Sequence, residues 1–480
     1  LDSPFGLVEV GRLGRRGGRV GLGGLGGGVG LGRRERLVGL GGRVEGRAFD
    51  ARDGKPCEDF GDHGSVQMPT SKPVLWAGEV VAGSKPAVVN GVVVVGSAVA
   101  DNQRVDAPSG RVLAYDARTG KFLWEFDPLP RDPNDPAAKT WEKGTAEGFG
   151  AGNVWANMAV DQQLDLVYLP TTSPSGDFYG AGRAGDNRYS SSIVALQGKT
   201  GQVAWHFQFV HHNVFDYDTP SEPLLIDWKN ADGSTVPALV QNNKTGMIFV
   251  FNRATGEPLV PIEERPVPTQ GVVAGEKLSP TQPFPVGMPT LAQHGFSPDD
   301  AWGFTFIDRW LCKRKIESLN YGPIFTPPSL QGTVFSPSVG GGPNWGGGAY
   351  DPASGLMIVP SNRVPVIMTL VPMAQVKPGA GDKIETQLRR YAKRLREHKG
   401  NGVDAFVETA GYTVFAPPPD TEEDEGSHPA IIAETKVDIP EASVSDAVML
   451  LDLRNRALLI MPDQHPGLHK VGDLDRVRLD

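Results

Sequence analysis

The stretch "AYDARTGKFLWEF", from Ala114 to Phe126, joins two strand-like segments through a polar turn that ends in glycine. Three other segments have the same order of residue types: "AFDARDGKPC" from Ala48, "ALQGKTGQVAWHF" from Ala195 and "VFNRATGEPL" from Val250. Glycine at the end of such a turn supplies the positive φ that a tight hairpin needs. The sequence therefore predicts a strand, turn, strand unit that recurs along the chain.

A second repeat places an Asp six residues after a Trp and a Pro nine residues after that Asp. Its two copies begin 190 residues apart, which suits about four units of the roughly 40 to 50 residues that propeller blades take. Four-stranded sheets repeated around one axis are the architecture that fits best, and a β-sandwich with coincidental turns is the alternative. The residues are Trp155, Asp161 and Pro170 in the first copy, and Trp345, Asp351 and Pro360 in the second.

The composition agrees with an all-β fold. Among 480 residues there are 61 Gly and 41 Pro, which suggests many short elements joined by tight turns. A net charge of -9 argues against a DNA-binding surface over the whole chain, because such surfaces need clustered positive charge. Only two cysteines occur, Cys57 and Cys312, and their redox state does not follow from the sequence.

Both ends of the chain differ from this pattern. Residues 1–46 are rich in Gly and Arg without a persistent period, so we expect them to be non-native or disordered. For residues 374–426 we predict an amphipathic helix in "DKIETQLRRYAKRLREHKG", from about Asp382 to Lys399, followed by an acidic, proline-rich linker. In residues 427–480 we predict strand, helix, strand, with Ser445 as the N-cap of a helix in "DAVMLLDL". This gives a small α/β C-terminal segment.

Several long motifs in order resemble the PQQ-dependent dehydrogenases of the membrane glucose and polyol dehydrogenase type. They include "GSAVADNQRVDAPSGRVLAYDARTGKFLWEFDP", "RYSSSIVALQGKTGQVAWHFQFVHHNVFDYD", "IFTPPSLQGT" and "GGPNWGGGAYDP". The resemblance covers about residues 47–372 and implies part of an eight-bladed β-propeller, of which we expect about five blades. It also implies pyrroloquinoline quinone (PQQ) and Ca²⁺ or Mg²⁺ as cofactors, and oxidation of a sugar or polyol with electrons passed to a quinone. A periplasmic location at the inner membrane follows from the same resemblance.

The resemblance also assigns residues to the site. Asp216, in "HHNVFDYDTP", matches the family's catalytic base, which takes the hydroxyl proton of the substrate and lies beside the metal. Lys244 matches the lysine at the quinone oxygen, and Trp155 the tryptophan on which the flat cofactor stacks. Asp101 and Asn102 match the metal-binding pair, since Ca²⁺ and Mg²⁺ prefer oxygen ligands.

Further cofactor contacts are expected from Asn344, Trp345 and Asn362 on the second repeat. Each assignment has a structural alternative: a turn carboxylate for Asp216, a solvated turn lysine for Lys244, and a tryptophan packed between blades for Trp155. We expect Asp218 to be structural. His211 and His212 are adjacent on the chain, and adjacent side chains on a strand point to opposite faces, so we do not expect them to share a zinc ion. Nearby, Asn213, Val214 and Phe215 stand where the family usually has Asp, Leu and Trp.

The C-terminal stretch "IIAETKVDIPEASVSDAVMLLDL" resembles the dimerisation domain of long-form ribosome hibernation promoting factor, and the preceding helix resembles the last helix of that factor's ribosome-binding domain. This second resemblance covers about residues 376–461, and its final strand departs from the family. It implies ribosome association or homodimer contact and a cytoplasmic location for that segment. Two functional classes thus remain open, a quinoprotein dehydrogenase and a ribosome-associated module. A composite chain in which neither activity is complete is the third possibility.

Overall fold

The computed structural model describes residues 45–75, 78–100, 104–142, 146–230 and 232–372 together with their side chains. It describes the backbone of seven further strands outside those ranges. The helix expected from about Asp382 to Lys399 lies outside the described residues.

Strands dominate the described chain, as predicted for an all-β protein. In chain order they are β1 (Leu7–Val8), β2 (Gly26–Gly27), β3 (Arg36–Leu40), β4 (Glu45–Asp50), β5 (Ser65–Gln67), β6 (Val80–Val81), β7 (Ala87–Val89), β8 (Val92–Val95), β9 (Ala98–Val99), β10 (Val112–Asp116), β11 (Phe122–Phe126), β12 (Ala159–Asp161), β13 (Leu166–Pro170), β14 (Ser192–Gln197), β15 (Val203–Gln208), β16 (Leu224–Lys229), β17 (Thr235–Asn242), β18 (Ile248–Asn252), β19 (Ile262–Pro266), β20 (Thr281–Pro285), β21 (Thr333–Phe335), β22 (Ala349–Asp351), β23 (Leu356–Ser361), β24 (Val366–Pro372), β25 (Gly411–Val414), β26 (Ile431–Lys436), β27 (Ala447–Asp452) and β28 (Ala457–Pro462).

Helical structure in the described residues is slight. One α-helix, α1, runs over Phe306–Glu317, and short 3₁₀ turns occupy Pro136–Thr140, Ala181–Arg183 and Pro298–Asp300. None of the described helices is long and apolar enough to cross a membrane.

Antiparallel sheets follow one another along the chain. β7, β8, β10 and β11 form one four-stranded sheet, β12 to β15 form the next, and β16 to β18 form a three-stranded sheet. Apolar clusters join the sheets in chain order. The sheet of β3 to β5 packs on the sheet of β7, β8, β10 and β11, and that sheet packs on the sheet of β12 to β15. The sheet of β12 to β15 packs on the sheet of β16 to β18, which in turn packs on β22 and β23. This succession of sheets packed face to face is what the recurring strand, turn, strand unit predicted.

A tryptophan on one sheet packs against the turn glycine of the next. A Cβ built on Gly201 would lie 2.6 Å from the ring of Trp124, and Trp124 Nε1 donates to the Gly198 carbonyl at 2.9 Å. Gly256 and Trp205 repeat the arrangement, with 2.6 Å from the Cβ position to the ring. Both glycines have positive φ, 70° and 76°. At these two turns the glycine therefore has two roles: it adopts the positive φ of its own hairpin, and it leaves room for the tryptophan ring of the preceding sheet.

The Trp, Asp, Pro repeat occupies equivalent positions in two sheets, as its spacing predicted. Asp161 ends β12 and pairs with Leu166, and Asp351 ends β22 and pairs with Leu356. Both carboxylates accept backbone N–H bonds from the turn that follows, at 2.9 Å from Gln163 and at 3.0 Å from Ala353. Asp is selected here because it caps the turn that joins the first two strands of the sheet.

The C-terminal strands differ from the prediction. β27 forms where we expected a helix after Ser445, and it pairs with β23 and with β28. β26 pairs in the same way with β24. A short apolar run such as "AVMLLD" cannot be assigned to strand or helix by its period alone, and the free edge of β23 supplies the backbone partners that make it a strand. In the described backbone, β26 and β27 therefore extend the sheets that contain β24 and β23.

The N-terminal region also contains a strand that its composition did not indicate. Arg36–Leu40 forms β3 and pairs with β4, with Arg36 opposite Asp50. The short apolar run in "RLVGL" suits a strand that extends an existing sheet edge, and the dense glycines before it obscure this run in the sequence.

Gly201→Ala should destabilise the protein by about 2–4 kcal/mol, because the new methyl group adds a clash with Trp124 to the cost of a positive φ. Gly54→Ala is the matched control: Gly54 has φ 72° at the same place in its turn, yet its Cβ position has no atom within 4 Å. Gly54→Ala should lower the free energy of unfolding by about 1 kcal/mol. Urea denaturation of both variants measures the difference. Equal losses would show that the packing of tryptophan on glycine contributes nothing.

Candidate functional site

Three charged side chains meet in a buried cluster between the loops that follow β15 and β17. Lys244 Nζ lies 2.9 Å from Asp216 Oδ1 and 3.0 Å from Asp218 Oδ2. The side chains are 8% exposed for Lys244, 10% for Asp218 and 18% for Asp216. Asp216 is thus the member of the cluster that a molecule outside can reach most easily.

The charge of Lys244 is held by its two partners. Burial alone would lower the pKa of Lys244, but the carboxylates of Asp216 and Asp218 outweigh burial and raise that pKa well above its ordinary value. The amine therefore stays protonated at neutral pH. One ammonium between two carboxylates gives these three side chains a formal net charge of about -1.

The turn around Asp216 is fixed by its neighbours. Asn213 Oδ1 accepts from the backbone N–H of Phe215 at 3.0 Å, and the Tyr217 hydroxyl donates to the Pro337 carbonyl at 2.8 Å. The rings of Phe215 and Tyr217 stack with centroids 5.7 Å apart. Asp216 itself has φ 57°, a left-handed conformation that Asp tolerates better than most residues. The residues that depart from the family's usual motif thus build the turn that presents Asp216.

Asp218 connects the cluster to the loop that follows β13, in the sheet of β12 to β15. Its Oδ1 accepts from both the backbone N–H and the hydroxyl of Ser173, each at 3.0 Å, while its Oδ2 faces Lys244. Ser173 follows β13, and the N–H of Thr172 donates to the Asn153 carbonyl at 3.0 Å. Asp218 therefore positions Lys244 and ties it to the segment that carries Trp155.

A glycine-rich loop closes over Lys244. A Cβ on Gly341 would lie 2.7 Å from Lys244 Cγ, and Gly342 N–H donates to the Lys244 carbonyl at 3.0 Å. Asn362 N–H donates in turn to Gly342, and Asn344 Nδ2 donates to the Gly340 carbonyl at 2.7 Å. Asn344 is therefore part of the glycine-rich loop, and the backbone of Asn362 is bonded to that loop. The close approach at Gly341 was not anticipated, although the glycine run in "SVGGGPNW" was a signal for it.

The two tryptophans expected at the cofactor have different environments. Trp155 is partly buried, and its Cβ lies 3.2 Å from the Cβ position of Gly83. Lys85 links the segment of Trp155 to the segment of Asp218. Its backbone N–H donates to Asn157 Oδ1 at 3.2 Å, two residues after Trp155, and its Nζ donates to the Glu222 carboxylate at 3.2 Å, four residues after Asp218. Trp345, by contrast, is 78% exposed. Trp155 is therefore the better placed of the two to form one wall of an enclosed site.

Polar atoms without a protein partner concentrate in these same segments. Among the described residues, buried side-chain atoms with no hydrogen-bond partner include Ser84 Oγ, Asn153 Oδ1, Thr219 Oγ1, Asn242 Nδ2 and Asn243 Nδ2. Unpaired buried polar groups are costly and call for an explanation. The donors among them, Thr219 Oγ1 and the Asn242 and Asn243 amides, belong to the segments that also carry Asp218 and Lys244. Such donors suit an anionic, oxygen-rich ligand, and PQQ is such a molecule.

The expected metal ligands are only partly observable. Asp101 and Asn102 lie outside the described residues, and Asp216 is paired with Lys244. Within the described ranges no group of three His, Cys, Asp or Glu side chains is arranged to hold a metal ion. Neither cysteine forms a disulfide, and both are partly buried.

His211 and His212 have separate partners. His211 Nε2 lies 3.1 Å from a carboxylate oxygen of Glu264. His212 is buried, with Nε2 at 2.8 Å from Glu276 Oε1 and Nδ1 at 2.9 Å from the Gly185 carbonyl oxygen. His212 therefore belongs to a buried polar network that supports the loop carrying Asp216.

Lys244→Met should lower the free energy of unfolding by about 3–5 kcal/mol at neutral pH, because two buried carboxylates lose their cation. The deficit should shrink in acid, where protonation removes the carboxylate charges. Lys229→Met, at an exposed lysine of β16, is the control and should change stability by less than about 0.5 kcal/mol. Denaturant unfolding at several pH values gives both results. A pH-independent loss in Lys244→Met would contradict the electrostatic account of the cluster.

Comparison with known proteins agrees with this geometry. The family model described as PQQ-dependent glucose/ethanol/alcohol dehydrogenase, β-propeller domain, matches residues 34–421. The chain is 43% identical over 326 residues to the glycerol dehydrogenase large subunit of Gluconobacter oxydans (strain 621H), an alignment that covers 68% of this chain and 43% of that protein. It is 38% identical over 344 residues to quinoprotein glucose dehydrogenase A of Acinetobacter calcoaceticus, with 70% and 42% covered.

A solved structure supports the architecture. The quinohemoprotein alcohol dehydrogenase from Comamonas testosteroni superposes with a TM-score of 0.52 at 18% identity, over 89% of this chain and 54% of that chain. At this identity the likeness concerns the fold, and it confirms the predicted propeller over the β-sandwich alternative. The chain spans less than half the length of the curated relatives it matches. From the match over residues 34–421 and the identity to these relatives, the chain belongs to the PQQ-dependent glucose/ethanol/alcohol dehydrogenase β-propeller family.

Proposed function

We propose that this chain contributes the site of a quinoprotein dehydrogenase that oxidises an alcohol group of a sugar or polyol and passes the electrons to a quinone acceptor. One observation carries the proposal: the buried contact of Lys244 with Asp216 and Asp218, in segments that also hold unpaired polar donors. The names of the relatives, which include glycerol, glucose and quinate/shikimate dehydrogenases, favour polyhydroxylated substrates.

Asp216 is suited to accept the hydroxyl proton of the substrate. A general base must come within hydrogen-bond reach of the proton that it takes, and Asp216 is the most exposed carboxylate of the cluster. PQQ, when bound, supplies an ortho-quinone that accepts the two electrons leaving the alcohol carbon. Lys244 places a fixed positive charge beside the base. It would stabilise the negative charge that develops on the oxygens of the bound cofactor.

The cofactor would be held by residues from several sheets. Trp155 offers a flat face for stacking, and Lys244 and the Asn242 and Asn243 amides offer donors. Asn344 lies in the loop packed on Lys244, and Asn362, after β23, is bonded to that loop. Trp345, which is 78% exposed, would contribute less. Ca²⁺ or Mg²⁺ would take Asp216 together with Asp101 and Asn102 and would compensate the net negative charge of the cluster.

A periplasmic location at the inner membrane is part of the same proposal, because it is the environment that the family resemblance implies. The ribosome-associated alternative, with homodimer contact through the C-terminal segment, has no observation in its favour. β26 and β27, which carry the sequence that suggested it, pair with β24 and β23 of the propeller sheets.

Asp216→Asn should retain PQQ binding and lose turnover by at least about 10²–10⁴, since Asn cannot accept the proton. The measurement is PQQ-dependent dye reduction with glycerol or glucose in the presence of Ca²⁺, alongside PQQ binding followed by fluorescence. Asp227→Asn, at an exposed carboxylate on β16, is the control and should keep full activity. Unchanged turnover in PQQ-loaded Asp216→Asn would end the assignment of Asp216 as the base.

A further inference from the structure

A two-stranded hairpin lies against the loop that carries Asp216. β19 and β20 pair antiparallel and form a two-stranded sheet. We call residues 262–285, which include the loop between these strands, the β19–β20 hairpin. Two of its buried polar side chains contact His211 and His212, the residues just before the turn that presents Asp216.

Gln282, on β20, binds the backbone of His211 through two hydrogen bonds. Its Oε1 accepts from the His211 N–H at 2.8 Å, and its Nε2 donates to the His211 carbonyl at 2.8 Å. A carboxamide offers an acceptor and a donor side by side, as the N–H and C=O of one residue require. Gln282 is 2% exposed, so both bonds are shielded from water. The side chain therefore fixes the position and the orientation of the chain at His211.

Glu276, in the loop of the β19–β20 hairpin, holds the side chain of His212. Its Oε1 lies 2.8 Å from His212 Nε2, and its Oε2 accepts from the Gly180 N–H at 2.6 Å. The His212 side chain is 1% exposed and the Glu276 side chain 5%. Burial alone would raise the pKa of Glu276, but the contacts with His212 and Gly180 outweigh burial and lower that pKa. Glu276 is therefore a buried carboxylate, and hydrogen bonds to an ionised acceptor are strong.

Aromatic packing joins the β19–β20 hairpin to both neighbours of Asp216. The ring of Phe284, on β20, meets the ring of Phe325 edge to face at 6.0 Å between centroids. Phe325 in turn contacts Phe215 at 5.4 Å and Tyr217 at 5.8 Å. Polar contacts before the turn and apolar contacts within it thus hold the segment of Asp216 from the same side.

The other two members of the charged cluster are held by different segments. Asp218 accepts from Ser173 after β13, and the glycine-rich loop at Gly341 packs on Lys244. A change in the β19–β20 hairpin should therefore displace Asp216 more than it displaces Lys244.

We propose that Gln282 and Glu276 are positioning residues that set the place of the Asp216 carboxylate by acting on His211 and His212. The inference rests on the proposed function, in which Asp216 is the base that accepts the substrate proton. A base acts only within hydrogen-bond reach of that proton, and a misplacement of about 1 Å can lower a rate about 10²-fold. The β19–β20 hairpin would thus control turnover and leave the grip of Lys244 on the cofactor unchanged.

The first test measures amide hydrogen exchange by mass spectrometry in the full chain without added cofactor. Gln282→Met keeps the size of the side chain and removes both hydrogen bonds to His211. Exchange in residues 213–217 should become at least about fivefold faster, whereas exchange in residues 243–247 should change less than about twofold. Gln202→Met, at an exposed glutamine just before β15, is the matched control and should alter neither segment.

His212→Asn is a second variant that removes the contact with Glu276. Asn tolerates the positive φ of 42° at this position and is long enough to donate to the Gly185 carbonyl, but it is too short to reach Glu276. This variant should show the same pattern of exchange as Gln282→Met.

The second test is PQQ-dependent dye reduction by the same variants. Gln282→Met and His212→Asn should lower kcat about ten- to a hundredfold and change KM and PQQ affinity less than about threefold. A merely structural role would instead weaken PQQ binding and speed exchange in residues 243–247 as well.

Three outcomes would overturn the proposal: unchanged exchange in residues 213–217 in both variants, equal increases in the two segments, or wild-type kcat in PQQ-loaded variants whose exchange has risen. A wild-type chain that binds PQQ without reducing the dye would contradict the proposed function. The exchange pattern would still decide whether the β19–β20 hairpin holds the turn of Asp216, because it requires neither cofactor nor turnover.

Discussion

The packing of a tryptophan on the turn glycine of the next sheet is the contact on which the rest of this fold depends. Trp124 meets Gly201 and Trp205 meets Gly256, in both cases at a position where no side chain would fit. Each indole also donates to a backbone carbonyl of the next sheet, Trp124 to Gly198 and Trp205 to Arg253. Apolar burial and a directional hydrogen bond therefore act at the same point, and successive sheets are fixed in angle as well as in distance.

That regular spacing brings charged groups from separate loops into one cluster. Asp216 and Asp218 follow β15, Lys244 follows β17 of the adjacent sheet, and the glycine loop at Gly341 packs on Lys244 from further along the chain. Neither loop could hold a buried charge alone, because an isolated buried ion is far too costly. The cluster forms only when both sheets are docked, so the packing between sheets and the chemistry of the site are linked.

The sequence predicted the parts of this structure that depend on local rules. The hairpin turns, the capping Asp161 and Asp351, and the use of propeller sheets all follow from residue type and spacing. Other features depend on which strand edges are free and on how closely loops approach. β27 forms a strand because β23 offers a free edge. Glycine is needed at position 341 because Lys244 lies against it. Trp345 is exposed, although Trp155 in the equivalent motif is partly buried. Periodicity carries no information on these points.

The most direct test of the account is a titration of PQQ into the wild-type chain, Trp155→Ala and Trp345→Ala in the presence of Ca²⁺, followed by fluorescence. Saturable binding by the wild type is predicted, with affinity about ten- to a hundredfold weaker in Trp155→Ala through loss of the stacking face. Trp345→Ala should change affinity less than about threefold, because that indole is 78% exposed. Absence of saturable binding, or equal losses in the two variants, would contradict the claim that the segments around Lys244 and Trp155 form a PQQ site.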